Sequence, residues 1–148
     1  INSFKNKEHE TLLEIVTTGD MLLKRAQKVL KPFGLTAAQF NILMLLKYQS
    51  SDGKLIQSKL GRMLLVHRSN VTGLVDRMEK AGFVRRVSDY LDRRANMVEM
   101  TEKGEEVFKK AREAYYENIE KTMTSLSAGE REKLSDALEK IRGKIRKK

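Results

Sequence analysis

The hydrophobic period of this 148-residue chain changes once, between Phe83 and Met100, and that change restricts the fold more than any other feature. Over Asn96-Met97-Val98-Glu99-Met100 polar and apolar side chains alternate, the two-residue period of a half-buried strand. Phe83 to Ser88 reads as its partner, and the charged stretch Asp89 to Arg94 between them reads as a hairpin loop. Everywhere else the apolar residues recur at helical spacing. The chain is therefore expected to be mainly α, with one small β-hairpin set among helices.

The helices announce their own ends. Leu12, Ile15, Val16, Leu22, Leu23, Ala26, Leu30 and Phe33 form one long amphipathic stripe, which Pro32 and Gly34 bring to a close. Thr36-Ala-Ala-Gln39 is a capping box that opens a second helix carrying Phe40, Leu43, Met44 and Lys47. Ser50 to Gly53 is a turn by composition. Gln57 to Leu64 and Val66 to Ala81 read as two helices separated by a tight turn around Leu65-Val66. Gly82 stands where a helix C-terminus favours positive φ. After the hairpin, Val107, Ala111, Tyr115, Ile119 and Met123 mark one amphipathic helix. A second opens with the capping box Ser127-Ala-Gly-Glu130 and is expected to bury Leu134, Leu138, Ile141 and Ile145. The long helices at both ends flank the central module and call for an apolar partner. A second copy of the chain would supply one through a two-fold contact, the alternative being a monomeric bundle.

Charge narrows the partners. The formal net charge is +10, the balance of a polyanion binder. Seven of the twelve arginines lie between Arg62 and Arg94, around the hairpin. The basic tail from Glu139 to Lys148 also reads as a solvated helix end that suits the helix dipole. Cysteine is absent, which excludes disulfides, thiolate metal sites and thiol redox sensing and fits a cytoplasmic protein. No apolar run reaches the length of a membrane span, and no signal segment opens the chain.

Helix, helix, two-stranded hairpin is the order of a winged helix-turn-helix, whose second helix enters the DNA major groove. That helix offers His67, Arg68, Ser69, Asn70, Thr72 and Gly73 outward, with Val71, Leu74, Val75 and Met78 inward. Asp92-Arg93-Arg94 sits at the hairpin tip, where an arginine can enter the minor groove and an acid can hold its guanidinium. Several segments then resemble one family. Leu35-Thr-Ala-Ala-Gln-Phe40, Gln57-Ser-Lys-Leu-Gly61, Arg68 through Gly82, Asp92-Arg-Arg-Ala95 and Val98-Glu-Met-Thr-Glu-Lys-Gly104 are similar, in this order, to the MarR family of bacterial regulators.

The resemblance implies a homodimer with intertwined terminal helices, two wings and two reader helices on one pseudo-palindromic operator. It also implies repression relieved by a small phenolic or anionic effector, with no cofactor. Residues 54–101 would form the DNA-binding lobe, and 1–34 with 102–148 the dimerisation helices of a single domain. Carried over by position, Ser69, Asn70, Thr72 and Arg77 fall on the reader helix, and Asp92, Arg93 and Arg94 on the wing. Gln57 and Ser58 fall where backbone phosphates are met. His67 departs from the usual capping residue and can present its imidazole to a phosphate. Gly61, Met97 and Met100 also depart from the family pattern.

Competing readings remain for single residues. Arg77 is either a phosphate clamp or a partner for Asp76 or Glu79. Met21 and Met44 sit on helices that resemble pocket-lining ones, although methionine at helical spacing is ordinarily core. His9 and His67 are far apart in sequence, and no serine or acid is arranged around either as a triad, so catalysis finds no support. A zinc site would need one of them joined by distant carboxylates. Glu105 and Glu106 are adjacent and read as a solvated pair. The second functional class is a helical interaction module that docks a protein or binds nucleic acid without sequence preference.

Overall fold

The computed structural model describes residues 6–64, 68–88, 91 and 96–147. Helix α1 (Lys7–Leu30) runs into a short 3-10 turn (Lys31–Phe33), followed by α2 (Ala37–Tyr48), strand β1 (Lys54–Ile56), α3 (Gln57–Leu64) and α4 (Arg68–Lys80). Strands β2 (Val84–Ser88) and β3 (Asn96–Met100) lead to α5 (Glu102–Met123) and α6 (Ala128–Arg146). No single helix among the described residues is long and apolar enough to cross a membrane.

The punctuation expected from the sequence is in place. Gly34 takes φ 71°, and its N–H donates to the Lys31 carbonyl at 3.0 Å, ending the first helix. Thr36 and Gln39 cap α2 reciprocally, at 3.1 Å for the Gln39 N–H on the Thr36 hydroxyl and 3.0 Å for the return bond. Ser127 and Glu130 do the same for α6, and the backbone N–H of Ser127 holds the Glu130 carboxyl below its ordinary pKa. Gly82 takes φ 82°, and the amides of Gly82 and Phe83 return to the carbonyls of Glu79 and Met78, both at 2.9 Å. That pair of bonds satisfies the last turn of α4 and turns the chain into β2.

The sheet has one strand more than the sequence announces. Its order is β1-β3-β2, antiparallel throughout, with Leu55 opposite Val98 and Arg86 opposite Val98 on the other side. Three residues are too few to reveal a period, so Lys54-Leu55-Ile56 becomes a strand only because β3 lies beside it. Glu99 links the three strands on one face, pairing with Arg85 at 2.7 Å and Lys54 at 3.9 Å.

One hydrophobic core serves the whole lobe and crosses into the terminal helices. Phe40, Ile42, Leu43 and Leu46 of α2 are buried at its centre, with Leu60, Val71, Val75, Met78, Val84 and Val98 around them. Leu30 closes it from α1, and Phe108 and Ala111 close it from α5. The Phe40 ring stands 5.5 Å from Phe108 and 4.6 Å from Tyr115, centroid to centroid. The expectation that the first and last helices merely flank the module is thus corrected for α5 and for the end of α1.

For α6 the helix does stand outside the shared core, and what is corrected is the burial expected of its apolar stripe. No residue of α6 is buried, and Leu134, Ile141 and Ile145 are exposed rather than packed within the chain. Leu138, expected beside them, is half-buried. Leu12, Val16 and Leu23 of α1 are exposed as well.

The junction between lobe and α5 is tight. Thr101 caps α5 by accepting from the Gly104 N–H at 3.0 Å, while its own hydroxyl donates to the Gly82 carbonyl. A Cβ on Gly104 would lie 2.0 Å from the Phe83 carbonyl oxygen, so only glycine permits this approach. Lys103 donates to the Ala81 carbonyl at 2.8 Å, a cation at the C-terminus of α4.

Candidate nucleic-acid interface

Helix α4 divides into two faces as its sequence predicts. Val71, Val75 and Met78 are buried and Leu74 is half-buried, which anchors the helix to the core. Asn70, Thr72, Asp76 and Arg77 are exposed on the other side. Arg68 and Ser69 begin the helix. Their side chains lie outside the described structure, as do His67, the Leu65-Val66 turn and the wing-tip residues Asp92, Arg93 and Arg94.

Gln57 and Ser58, the other residues expected to meet phosphate, are the first two of α3. Ser58 is exposed and Gln57 half-buried. Gln57 is already engaged inside the protein: its amide donates to the Thr72 hydroxyl at 2.9 Å. A residue singled out for DNA and one singled out for base edges are therefore joined to each other, fixing α3 against α4.

Arg86 of β2 is the residue that sequence reasoning missed. It pairs with Asp76 at 2.7 Å and Glu79 at 3.2 Å, and its backbone N–H donates to Glu79 at 2.9 Å. Its guanidinium also reaches the side-chain oxygen of Gln57 and the carbonyl of Thr72, both at 3.4 Å. A signal was present. Neighbours on a strand face opposite ways, so with Arg85 committed to the Glu99 face, Arg86 had to face the other side.

This removes one of the two readings of Arg77, the ion pair with Asp76 or Glu79. The carboxylates of Asp76 and Glu79 belong to Arg86, and among the described residues Arg77 forms no ion pair. Its guanidinium lies back along the helix over Gly73, where an added Cβ would stand 3.4 Å from its Nη1. The helix thus presents a basic side chain and a carboxamide outward, at Arg77 and Asn70, against a buried apolar back.

Other sequence candidates fall elsewhere. Glu105 pairs with Lys47 at the surface with its side chain 46% exposed, and Glu106 is exposed beside it. Met44 packs against the core, whereas Met21 is 65% exposed on α1. Among the described residues no three His, Asp or Glu side chains gather as a metal site. A groove of about 270 Å³ opens between α1, α2 and α5, bordered by Leu22, Leu23, Ala26, Phe40, Asn41 and Tyr115.

Comparison with known proteins places this architecture. A MarR family profile matches residues 33–95. YkoM of Bacillus subtilis, an uncharacterised HTH-type transcriptional regulator, is 33% identical over 110 residues, covering 74% of this chain and 70% of YkoM. The chain belongs to the MarR family of transcriptional regulators.

Within that family, BadR of Rhodopseudomonas palustris, a transcriptional activatory protein, is 37% identical over 89 residues, 60% of this chain. The match spans about half of BadR, 51% of its length. Sco3205, a MarR family regulator from Streptomyces coelicolor solved in complex with DNA, shares the fold with a TM-score of 0.88 at 18% identity, over 99% of this chain and 92% of that one. The MarR fold makes α3 and α4 the helix-turn-helix and β2–β3 the wing. These relatives are regulators rather than enzymes.

Proposed function

We propose that this chain is a sequence-specific DNA-binding regulator that acts as a homodimer on a pseudo-palindromic operator in the cytoplasm. The observation that carries the reading is the two-faced α4. Val71, Val75 and Met78 bury its inner face in the core, while Asn70 and Arg77 project outward without intramolecular partners among the described residues. Asparagine is suited to bidentate pairing with adenine in the major groove, and arginine to phosphate. Residues 54–101 form the DNA-binding lobe in this reading, and 1–34 with 102–148 the dimerisation helices. Arg68, Ser69, Ser58 and His67 add contacts along α3 and α4, and Arg93 and Arg94, beside Asp92, add the wing.

Control by repression, relieved by a small phenolic or anionic effector, completes the proposal. The groove beside Phe40, Asn41 and Tyr115 has an aromatic wall and a carboxamide, which suits such a ligand. Without cysteine, thiol oxidation is not available as the signal.

The experiment separates reader from wing. Asn70→Ala should cost about 1–3 kcal/mol on the best operator and reduce its advantage over random duplex. Arg94→Ala should weaken binding to many sequences alike and flatten the salt dependence by up to roughly two log–log units per dimer. Titrations at several salt concentrations on both duplexes measure each effect. An unchanged specificity ratio for Asn70→Ala, with Arg93→Ala and Arg94→Ala both silent, refutes the reading.

A further inference from the structure

Arg86 belongs to none of the groups assigned above to DNA, and its side chain is only 25% exposed. Its guanidinium nevertheless reaches along much of α4. The residues that supply its partners, Thr72, Asp76 and Glu79, span about 10 Å of helix axis, close to two turns. Through Gln57 the same guanidinium reaches the first residue of α3, and Gln57 in turn donates to the Thr72 hydroxyl. The covalent link between α4 and β2 lies at the far end of the helix, around Gly82. The N-terminal half, which carries Asn70, has no such tether to the wing. Apolar contacts at Val71 and Val75 fix its depth but are weakly directional. The planar fork of an arginine, with five donors at fixed angles, is directional.

We propose that Arg86 is a positioning residue that locks α4 and the base of the wing in one relative pose, and that this pose sets which operator sequence is read. The proposal rests on the DNA-reading function argued above. Base-edge hydrogen bonds need side chains held within about 0.5 Å, whereas phosphate contacts tolerate more play. Loosening the lock therefore costs specificity before it costs general affinity. The lock also has an electrostatic side. Asp76 and Glu79 lie on a helix that approaches phosphates, and Arg86 offsets part of their repulsion. Neutralising them consequently has opposite effects on two readouts: looser pose lowers the operator preference, while lost negative charge raises affinity for any duplex.

The test uses the full dimeric chain and four forms: wild type, Arg86→Met, Arg86→Lys, and the double variant Asp76→Asn/Glu79→Gln. Each is titrated on the operator selected by wild type from a random pool and on random duplex, at several salt concentrations. Thermal melts and light scattering accompany the titrations. Both Arg86 variants should lose roughly tenfold in the operator-to-random ratio, with the salt slope on random duplex unchanged. Lysine should fail to rescue, because it restores the charge and not the fork. The double variant should lose the ratio while binding random duplex more tightly.

Full rescue by lysine, or a lower melting temperature with an unchanged ratio, overturns the proposal. So does a slope flattened by about two units in Arg86→Met, which would make Arg86 a direct phosphate contact. Amide hydrogen exchange without DNA separates the lock from the function it serves. Arg86→Met should accelerate exchange in α4 between Thr72 and Lys80, and unchanged exchange overturns the lock. A wild type that selects no sequence, with exchange still accelerated in the variant, overturns the DNA-reading function and the specificity role while leaving the lock standing.

Discussion

The lobe around α2 and the terminal helix α6 are built from similar side chains and meet opposite fates. In the lobe, Phe40, Leu43, Leu60 and Phe108 are buried, and every helix that contributes to it gives a face to one shared core. On α6, Leu134, Ile141 and Ile145 recur at the same helical spacing, yet Ile145 is 72% exposed. Exposed apolar residues on α1, with Leu12 at 54%, extend the unpartnered surface. Burying one such side chain is worth about 1.5–3 kcal/mol, so a second protomer covering several of them gains enough to hold a dimer. Amphipathic periodicity alone does not tell a finished core from an unfinished interface.

The comparison breaks most sharply if α6 is not an interface. Leu138→Glu combined with Ile141→Glu should convert a dimer into monomers and abolish operator binding together. Light scattering and electrophoretic mobility shift measure the two losses, and a well-folded wild-type monomer at micromolar concentration would remove the basis of the contrast. The lobe should respond differently. Phe108→Ala empties a site stacked on Phe40 and should lower unfolding free energy by about 3–5 kcal/mol, measured by urea denaturation, with the dimer preserved at low denaturant. Dissociation at low denaturant would instead mean that lobe and interface are one cooperative unit.

Two smaller effects sharpen the boundary. Gly104→Ala forces Phe83 and the start of α5 apart and should cost about 1–3 kcal/mol, visible as a lower urea midpoint. Because this junction joins the lobe to α5, operator affinity should fall further than stability alone accounts for. The smallest effect belongs to the α6 cap. Ser127→Ala should cost about 1 kcal/mol. The lowered pKa of Glu130 gives the cap a pH signature. A carboxylate depressed in the folded state adds stability above its unfolded pKa and loses it as pH falls through the folded value. Acid should therefore weaken the α6 cap below the ordinary glutamate range, and Glu130→Gln should remove that dependence in a thermal-melt series.

Much of the fold could be read from residues that solve a local problem. Gly34 and Gly82 adopt positive φ, Thr36 and Ser127 satisfy free amides, and the Asn96–Met100 alternation marks a strand whichever protein it sits in. The candidate site was readable only in part. Asn70 and Arg77 stand exposed where helical phase puts them. Gln57 and Thr72 carry the right chemistry for DNA but spend it on each other, because α3 and α4 bring them to 2.9 Å. No pattern within either helix predicts that.

Local order, then, belongs to the sequence: where helices start and stop, which face of α4 is apolar, and which family the motifs resemble. These follow from interactions within a few residues, which the order of side chains alone specifies. The tertiary structure decided the rest. It made a strand of Lys54-Leu55-Ile56, drew Phe108 into the core while leaving Ile145 outside, and gave Asp76 and Glu79 to Arg86 instead of Arg77. Each of these outcomes depends on which distant segment arrives alongside. At these positions the partner is the one that packing delivers from a distant segment, even though neighbours one helical turn apart pair elsewhere, as Glu117 does with Lys121.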